Sequence, residues 1–305
     1  MMTTNEVRIE TSTFCNHSCL FCPYSTLFVR KKQIMSLELF KFLLNKIKKQ
    51  EPNITELTIS GFGEPFMDST IIEKIRYAHK LGYFIHILTN GTLLNKNQLD
   101  FLLSLSSLDI RISLHALDPL VWKTITRGCD HYNLLYCINY IISNKTDRTK
   151  LTITVDVVDD NKKDIVNIIN KYSKTVDLLE IWKPHNWVNT FSYRNGKPVR
   201  STCGRPLNGP LQIQVDGTVN MCGFDFNGQL LLGDLKTQSI NEIFNSNIYL
   251  ELKDSHLNNT LNSSNYICKH CDQRKLQKGI VIYNSKFSEN DRIGRISTTM
   301  KKVIL

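Results

Sequence analysis

Three thiols within eight residues are the first chemistry this chain offers. Cys15-Asn-His-Ser-Cys19-Leu-Phe-Cys22 has a C-x3-C-x2-C spacing, and Cys268-Lys-His-Cys271 adds a C-x2-C pair. Cys203 and Cys222 lie upstream of that pair, while Cys129 and Cys137 stand alone, nine cysteines in all. The N-terminus has no apolar run of a signal peptide, and no stretch reaches about 18 uninterrupted apolar residues. The expected setting is therefore the cytoplasm, with no membrane partner. In that reducing compartment clustered cysteines are metal ligands or catalysts rather than disulfides, and an odd count cannot pair off completely. Three thiolates from one loop can serve a single centre. A structural zinc takes four ligands and would borrow His17. A [4Fe–4S] cube with three thiolates instead keeps one iron open to bind and activate a substrate. The remaining four, Cys203, Cys222, Cys268 and Cys271, suit either zinc or a fully ligated [4Fe–4S] cluster. Cys129 and Cys137 read as buried, inert thiols, Cys137 lying in the helical pattern of Leu134, Leu135, Ile138 and Ile141.

The elements that must position these groups follow from the hydrophobic pattern. The chain has 305 residues, 41% apolar and 22% charged, an ordinary globular composition that argues against disorder. Residues 7–182 read as strand–helix alternation. Strands are expected at Val7–Thr11, Ile54–Ser60, Tyr83–Thr89, Leu108–Leu114, Leu151–Val158 and Val176–Trp182. Helices are expected at 37–47 after the N-cap Ser36, and at about 69–81, 95–105, 118–126, 132–143 and 162–172. Six such units imply a parallel sheet with right-handed crossovers, and they suit a partial (β/α)6 TIM-like barrel better than a full eight-fold one. The first three cysteines, Gly61-Phe62-Gly63-Glu64-Pro65 and Thr89-Asn90-Gly91 each follow a strand, so they should converge at the carboxyl ends of the sheet. From about residue 190 the rhythm changes. A β-hairpin around Asp216-Gly217 ends at Cys222, a helix follows at about 239–253, and the polar loop 254–266 leads to Cys268. The expected α/β architecture is thus a barrel over residues 1–190, a small C-terminal β-hairpin-plus-helix domain over 191–284, and a tail over 285–305.

Cys15-x3-Cys19-x-Phe21-Cys22 at the end of the first strand resembles the signature of the radical S-adenosylmethionine (radical SAM) superfamily. In that family the open iron chelates the amino and carboxylate groups of SAM, and an electron from the cluster cleaves SAM to methionine and a 5′-deoxyadenosyl radical. The resemblance extends over about residues 7–185. Gly61, Gly63, Glu64 and Pro65 match the GGEP motif that receives the methionine amino group, with Phe62 splitting the glycine pair. Ser113, ending the fourth strand, stands where family members place a ribose contact. Val155–Val158, Val157 among them, would pack near the adenine, and Phe21 and Asn90 complete the implied SAM-binding set.

The second cysteine group resembles the twitch, or shortened SPASM, domain of radical SAM enzymes. No cysteine follows Cys271, so the resemblance implies one auxiliary [4Fe–4S] cluster with four protein ligands, acting in electron transfer. The arrangement is similar to that of a dehydrogenase oxidising an aminocyclitol alcohol. The expected function is a radical SAM oxidoreductase acting on a small polar metabolite, with a flavodoxin- or ferredoxin-type electron donor. The alternatives are a SPASM-type maturase of a ribosomal peptide and, from another class, a non-catalytic zinc-binding protein. With the first cysteine only 15 residues in, an N-terminal peptide-recognition domain does not fit. An oxidation needs a base for the hydroxyl proton, and His115, His185, Trp187, Arg205 and Asp225 are candidates near strand ends or cysteines. The net charge, 38 − 28 = +10, is compatible with an anionic substrate or RNA. No RNA-binding module or Arg/aromatic stripe is visible, so nucleic acid is not the expected partner. Lys41, Lys46, Lys48 and Lys49 read as a solvated basic helix face.

Overall fold

The computed structural model describes residues 4–188, 190–198, 200–275 and 281–284. The expected 285–305 tail lies outside the described residues. Six parallel strands run in sequence order: β1 (Glu6–Ile9), β2 (Glu56–Ile59), β3 (Phe84–Thr89), β4 (Leu108–Ser113), β5 (Thr149–Asp156) and β6 (Leu178–Trp182). The helices α1 (Leu37–Gln50), α2 (Ile71–Lys80), α3 (Lys96–Leu103), α4 (Pro119–Thr126), α5 (His131–Asn144) and α6 (Ile165–Tyr172) make the crossovers. The sheet does not close on itself. Its order is β10-β6-β5-β4-β3-β2-β1-β7-β8-β9, with β7 (Leu211–Ile213), β8 (Thr218–Asn220), β9 (Leu231–Asp234) and β10 (Val281–Asn284) on the flanks. The mixed α/β partial barrel expected from the alternation is the fold observed.

Period-two side-chain alternation explains the two faces of this sheet. Ile9, Ile59, Ile87, Ile110, Ile153 and Leu179 are completely buried on the side covered by helices. Burial of each such side chain contributes about 1.5–3 kcal/mol. The alternate positions are polar: Arg8, Thr58, His86, Arg111, Thr154 and Glu180 all face one interior cavity. A closed eight-stranded barrel fills its interior with branched apolar residues; this one keeps a polar lumen.

The C-terminal hairpin extends the barrel sheet. β7 pairs parallel to β1, with Val7 opposite Leu211 and Ile9 opposite Ile213, and β8 and β9 continue antiparallel. The single helix expected at 239–253 is two. After α7 (Arg205–Asn208), α8 (Ile240–Phe244) stops before Ser246, and α9 (Asn247–Leu257) begins because the Ser246 side chain accepts from Tyr249 N. The expected loop 254–266 therefore starts as helix. The basic face of α1 is also not wholly solvated, since Lys46 Nζ donates to Leu235 O at 2.7 Å. Among the described residues no helix is long and apolar enough to cross a membrane.

Candidate active site

The loop after β1 carries Cys15, Cys19 and Cys22 and is fastened from beneath by α4. Ser18 N donates to Thr126 O at 3.0 Å and Leu20 N to Ile125 O at 2.9 Å, using carbonyls that the end of a helix leaves free. Cys15 N donates to the Tyr24 hydroxyl at 2.9 Å, and Trp187 Nε1 to Phe21 O at 2.7 Å. Asn16 joins the loop to the end of β3 through Asn90 Nδ2 (2.8 Å) and Thr92 Oγ1 (2.9 Å). The three thiols are partly shielded neighbours. Burial pushes Cys15 up to about 11, helped by Glu64, and Cys22 to about 12, and raises Cys19 well above its ordinary value, with neighbouring cysteines adding to the effect on Cys22 and Cys19. Three thiols whose thiolates are costly without a positive partner suit a metal centre, which supplies that charge. His17 is committed elsewhere. Its ring meets Trp122 edge-on at 5.3 Å, Gly128 leaves it room, and burial pushes it down to about 4.

The loop after β2 is held against this one. A Cβ on Gly61 would lie 2.3 Å from Glu10 Cγ, and one on Gly63 would lie 2.3 Å from Ser12 O and 2.5 Å from Phe14 O. Only glycine allows such close approach. Glu64 N donates to Phe14 O at 2.8 Å. The Glu64 carboxylate accepts from Thr89 Oγ1 (2.6 Å), Asn90 N (2.7 Å) and Phe66 N (3.1 Å). Burial still pushes this carboxyl up to about 7. Pro65, buried, opens the single 3₁₀ turn that follows. Phe62, which splits the glycine pair, stacks on Phe28 at 5.8 Å and meets Trp187 and Phe226 at 5.1 and 5.4 Å.

Inside the sheet lies a cavity of about 400 Å³. Most of its charges are matched. Glu10 receives both terminal nitrogens of Arg30 at 2.8 Å, plus Phe62 N at 2.9 Å and Val215 N at 3.1 Å. Arg8 pairs with Glu6 at 2.7 Å, and Arg111 with Asp109 at 2.9 Å and Glu180 at 3.6 Å. Asp156, ending β5, also lines the cavity, and among the described residues its carboxylate has no hydrogen-bond partner. Burial pushes that carboxyl up to about 7 against the pull of Arg194.

The structure separates the candidates picked from sequence. His185, Trp187, Arg205, Asp225 and Ser113 line the cavity. Asp225 is engaged, accepting from Gln229 N (2.9 Å) and Leu230 N (2.7 Å). His185 Nδ1 accepts from Gln273 Nε2 at 2.9 Å, and burial pushes it down to about 4. His115 lies behind the strand end. It is held in the left-handed region (φ 58°) by Asp156 N on its Nδ1 at 3.1 Å and Asn161 Nδ2 on its carbonyl at 2.7 Å, with Phe21 4.7 Å from its ring. Val157 packs half-buried on the main core, while Val158 joins Phe21 and Ile125 beside Cys19. Cys137 is buried, but Cys129 departs from the expected buried thiol: it is exposed in the turn between α4 and α5.

Glu10, Arg30 and Asp156 were not singled out by motif. For Glu10 and Asp156 the signal was a charged residue at the end of a strand, visible only once the faces were assigned, whereas Arg30 lies in the loop between β1 and α1 and carried no such signal.

The other four cysteines enclose a small pocket of about 20 Å³, lined also by Arg205, Phe224, His256 and Arg274. Cys203 and Cys271 are buried, and Cys222 and Cys268 half-buried. Burial raises Cys203, Cys268 and Cys271, and the neighbouring thiols of the group raise them further. Two buried nitrogens here, Arg205 Nε and His256 Nε2, have no hydrogen-bond partner among the described residues. Orphaned donors around a cysteine pocket fit an anionic metal–sulfur group. Among the described residues no three His, Cys, Asp or Glu side chains converge on the position of a single ion. The pocket and the barrel cavity share a wall of Arg205, Phe224, Asp225 and Gln273.

Residues 9–191 match the radical SAM superfamily, and residues 203–272 match SPASM, an iron-sulfur cluster-binding domain. The chain belongs to the radical SAM superfamily, with a SPASM domain at its C-terminal side. An uncharacterized protein of Methanocaldococcus jannaschii is 27% identical over 66% of this chain and 62% of its own length. A probable GTP 3′,8-cyclase of Saccharolobus islandicus is 32% identical over 42% of this chain and 40% of its own. The chain thus spans less than two thirds of these relatives. Among solved structures, BtrN in complex with AdoMet and 2-DOIA superposes with a TM-score of 0.63 at 16% identity, over 89% of this chain and 93% of that one. Streptococcus suis SuiB bound to its precursor peptide SuiA gives 0.69 at 12%, over 88% and 75%. These last two likenesses are of fold.

Proposed function

We propose that this chain is a radical SAM oxidoreductase that converts an alcohol carbon of a small polar metabolite, sugar- or aminocyclitol-like, to a carbonyl. In this reading Cys15, Cys19 and Cys22 hold a [4Fe–4S] cluster with one open iron. The backbone of Gly61–Pro65 receives the methionine end of SAM, with Phe21, Asn90, Ser113 and Val157 around the remainder. Cys203, Cys222, Cys268 and Cys271 hold one auxiliary [4Fe–4S] cluster. When bound, the first cluster and SAM supply a 5′-deoxyadenosyl radical that removes hydrogen from carbon, and the auxiliary cluster supplies an electron acceptor. The polar lumen orients the alcohol, and Asp156 takes its hydroxyl proton.

The observation that carries this reading is the shared wall. A substrate in the barrel cavity lies one side-chain layer, Arg205 and Phe224, from the pocket of the second cysteine group. That placement supports electron transfer from substrate to auxiliary cluster. A flavodoxin- or ferredoxin-type donor in the cytoplasm completes the reading.

Anaerobic reconstitution is the test. Two cubes require about eight irons per chain, and reduction should yield 5′-deoxyadenosine. A substrate deuterated at the alcohol carbon should pass its label into that product. Cys268→Ala/Cys271→Ala should spare uncoupled SAM cleavage and abolish product. A colourless protein holding two zincs would overturn the reading, and label transfer from a ribosomal peptide instead would establish the maturase.

A further inference from the structure

The two unpartnered nitrogens of the second cysteine pocket come from different parts of the chain. Arg205 follows Cys203 by two residues, whereas His256 stands near the end of α9, twelve residues before Cys268. His256 is 1% exposed, yet its Nε2 meets no acceptor among the described residues. Its other nitrogen is occupied, with Nδ1 lying 2.8 Å from Thr202 Oγ1. That hydroxyl oxygen already accepts from Gly204 N at 2.9 Å. The arrangement that uses the Thr202 hydroxyl both as acceptor and as donor has it donating to Nδ1, which puts the imidazole proton on Nε2, facing the pocket. Arg205 Nε–H is likewise buried without an acceptor, and its guanidinium lies over the Phe224 ring at 5.1 Å. Leaving a buried donor unmet is costly, so a buried site that holds two of them calls for an acceptor. Two such donors line one pocket together with four cysteines, Asp225, Gln273, Arg274 and apolar side chains, and the Asp225 carboxylate is already taken by Gln229 N and Leu230 N.

Resting on the assignment of an auxiliary cluster to this pocket, we propose that His256 Nε2–H and Arg205 Nε–H donate hydrogen bonds to sulfur atoms of that cluster, and so set its reduction potential. Donors to the sulfurs, and a positive charge beside them, stabilise the more negative, reduced state and raise the potential. His256 is then a positioning residue that makes the cluster a better electron acceptor, and Arg205 adds charge from the substrate side of the shared wall. Thr202 is the anchor that aims the imidazole.

The test uses the full chain carrying Cys15→Ala, Cys19→Ala and Cys22→Ala, so that any remaining cluster signal belongs to the second group. In an EPR-monitored redox titration, His256→Phe should move the midpoint to lower potential. His256→Gln, which retains an N–H donor, should recover part of the shift, and Arg205→Gln should lower the midpoint independently. In the same background with 15N-labelled histidine, pulsed EPR of the reduced cluster should show hyperfine coupling to one imidazole nitrogen. An unchanged midpoint in His256→Phe with full iron content would overturn the proposal, as would absence of the coupling. The labelled protein decides the matter even where His256→Phe fails to fold. A background variant that takes up no cluster at all overturns the auxiliary-cluster assignment itself, and this proposal with it.

Discussion

Single residues set the geometry of the two loops at the sheet's open end. Gly63 faces two backbone carbonyls, so Gly63→Ala must move the cysteine loop. It should reduce iron bound at the first site and, with it, SAM cleavage by about an order of magnitude, the equivalent of about 1.4 kcal/mol, read as 5′-deoxyadenosine formed. Asp156→Asn keeps shape and removes the proton acceptor. Product should fall by a hundredfold or more, on the order of what general-base catalysis supplies, while SAM cleavage persists; equal loss of both would rule Asp156 out as the base. The lumen has its own pH dependence. Burial works to raise Asp109, but Arg111 and His86 hold it well below the ordinary 3.8. Its contribution is whole above that value and is lost as pH falls. Burial works to lower His86, but Asp109 and Glu56 raise it above 6.5. Its contribution is whole below 6.5 and fades as pH rises through the folded value. Asp109→Asn should therefore flatten the acid limb of a stability–pH curve and lower stability by about 3 kcal/mol, because Arg111 loses a buried partner.

Elements matter here through what their ends offer. α4 presents its last carbonyls to the cysteine loop, and its first turn is capped by Asp118, which accepts from Leu120 N and Val121 N at 2.8 and 3.0 Å. Asp118→Ala should cost about 1 kcal/mol in denaturant unfolding, and a loss within error would show that packing of Trp122 and Ile125 holds α4 by itself. The periodicities of the six parallel strands and their helices were legible because each buries one clean apolar face. The break between α8 and α9 was not. A serine within an amphipathic run reads as a tolerated polar position until its side chain is seen capping a new helix. β9 and β10 escaped because they are four-residue strands, too short to show a period, and β10 besides finds its partner in the distant β6.

At the scale of the whole molecule, the sheet passes without interruption from β6 through β1 to β9, and Glu10 ties the end of β1 to Arg30, Phe62 and Val215. Breaking that largely buried ion pair with Arg30→Ala should lower stability by about 3 kcal/mol. It should also leave far-UV circular dichroism and tryptophan fluorescence unfolding in one coincident transition, because barrel and hairpin share strand pairs. Two separated transitions would show that the C-terminal unit folds by itself. The sequence by itself determined the class. Cysteine spacing is local covalent information, and a C-x3-C-x2-C group opening a strand–helix alternation, with four more thiols after it, marks the class wherever the chain goes. Only the tertiary structure decided which charges are spent on one another, that Asp156 faces the lumen, that His256 reaches the second cysteine pocket, and that this pocket shares a wall with the cavity. Those facts depend on which strand faces meet and on contacts between residues far apart in sequence. Period-two alternation says that a side chain points to one face of a sheet, and only the curvature of the folded sheet says what stands opposite.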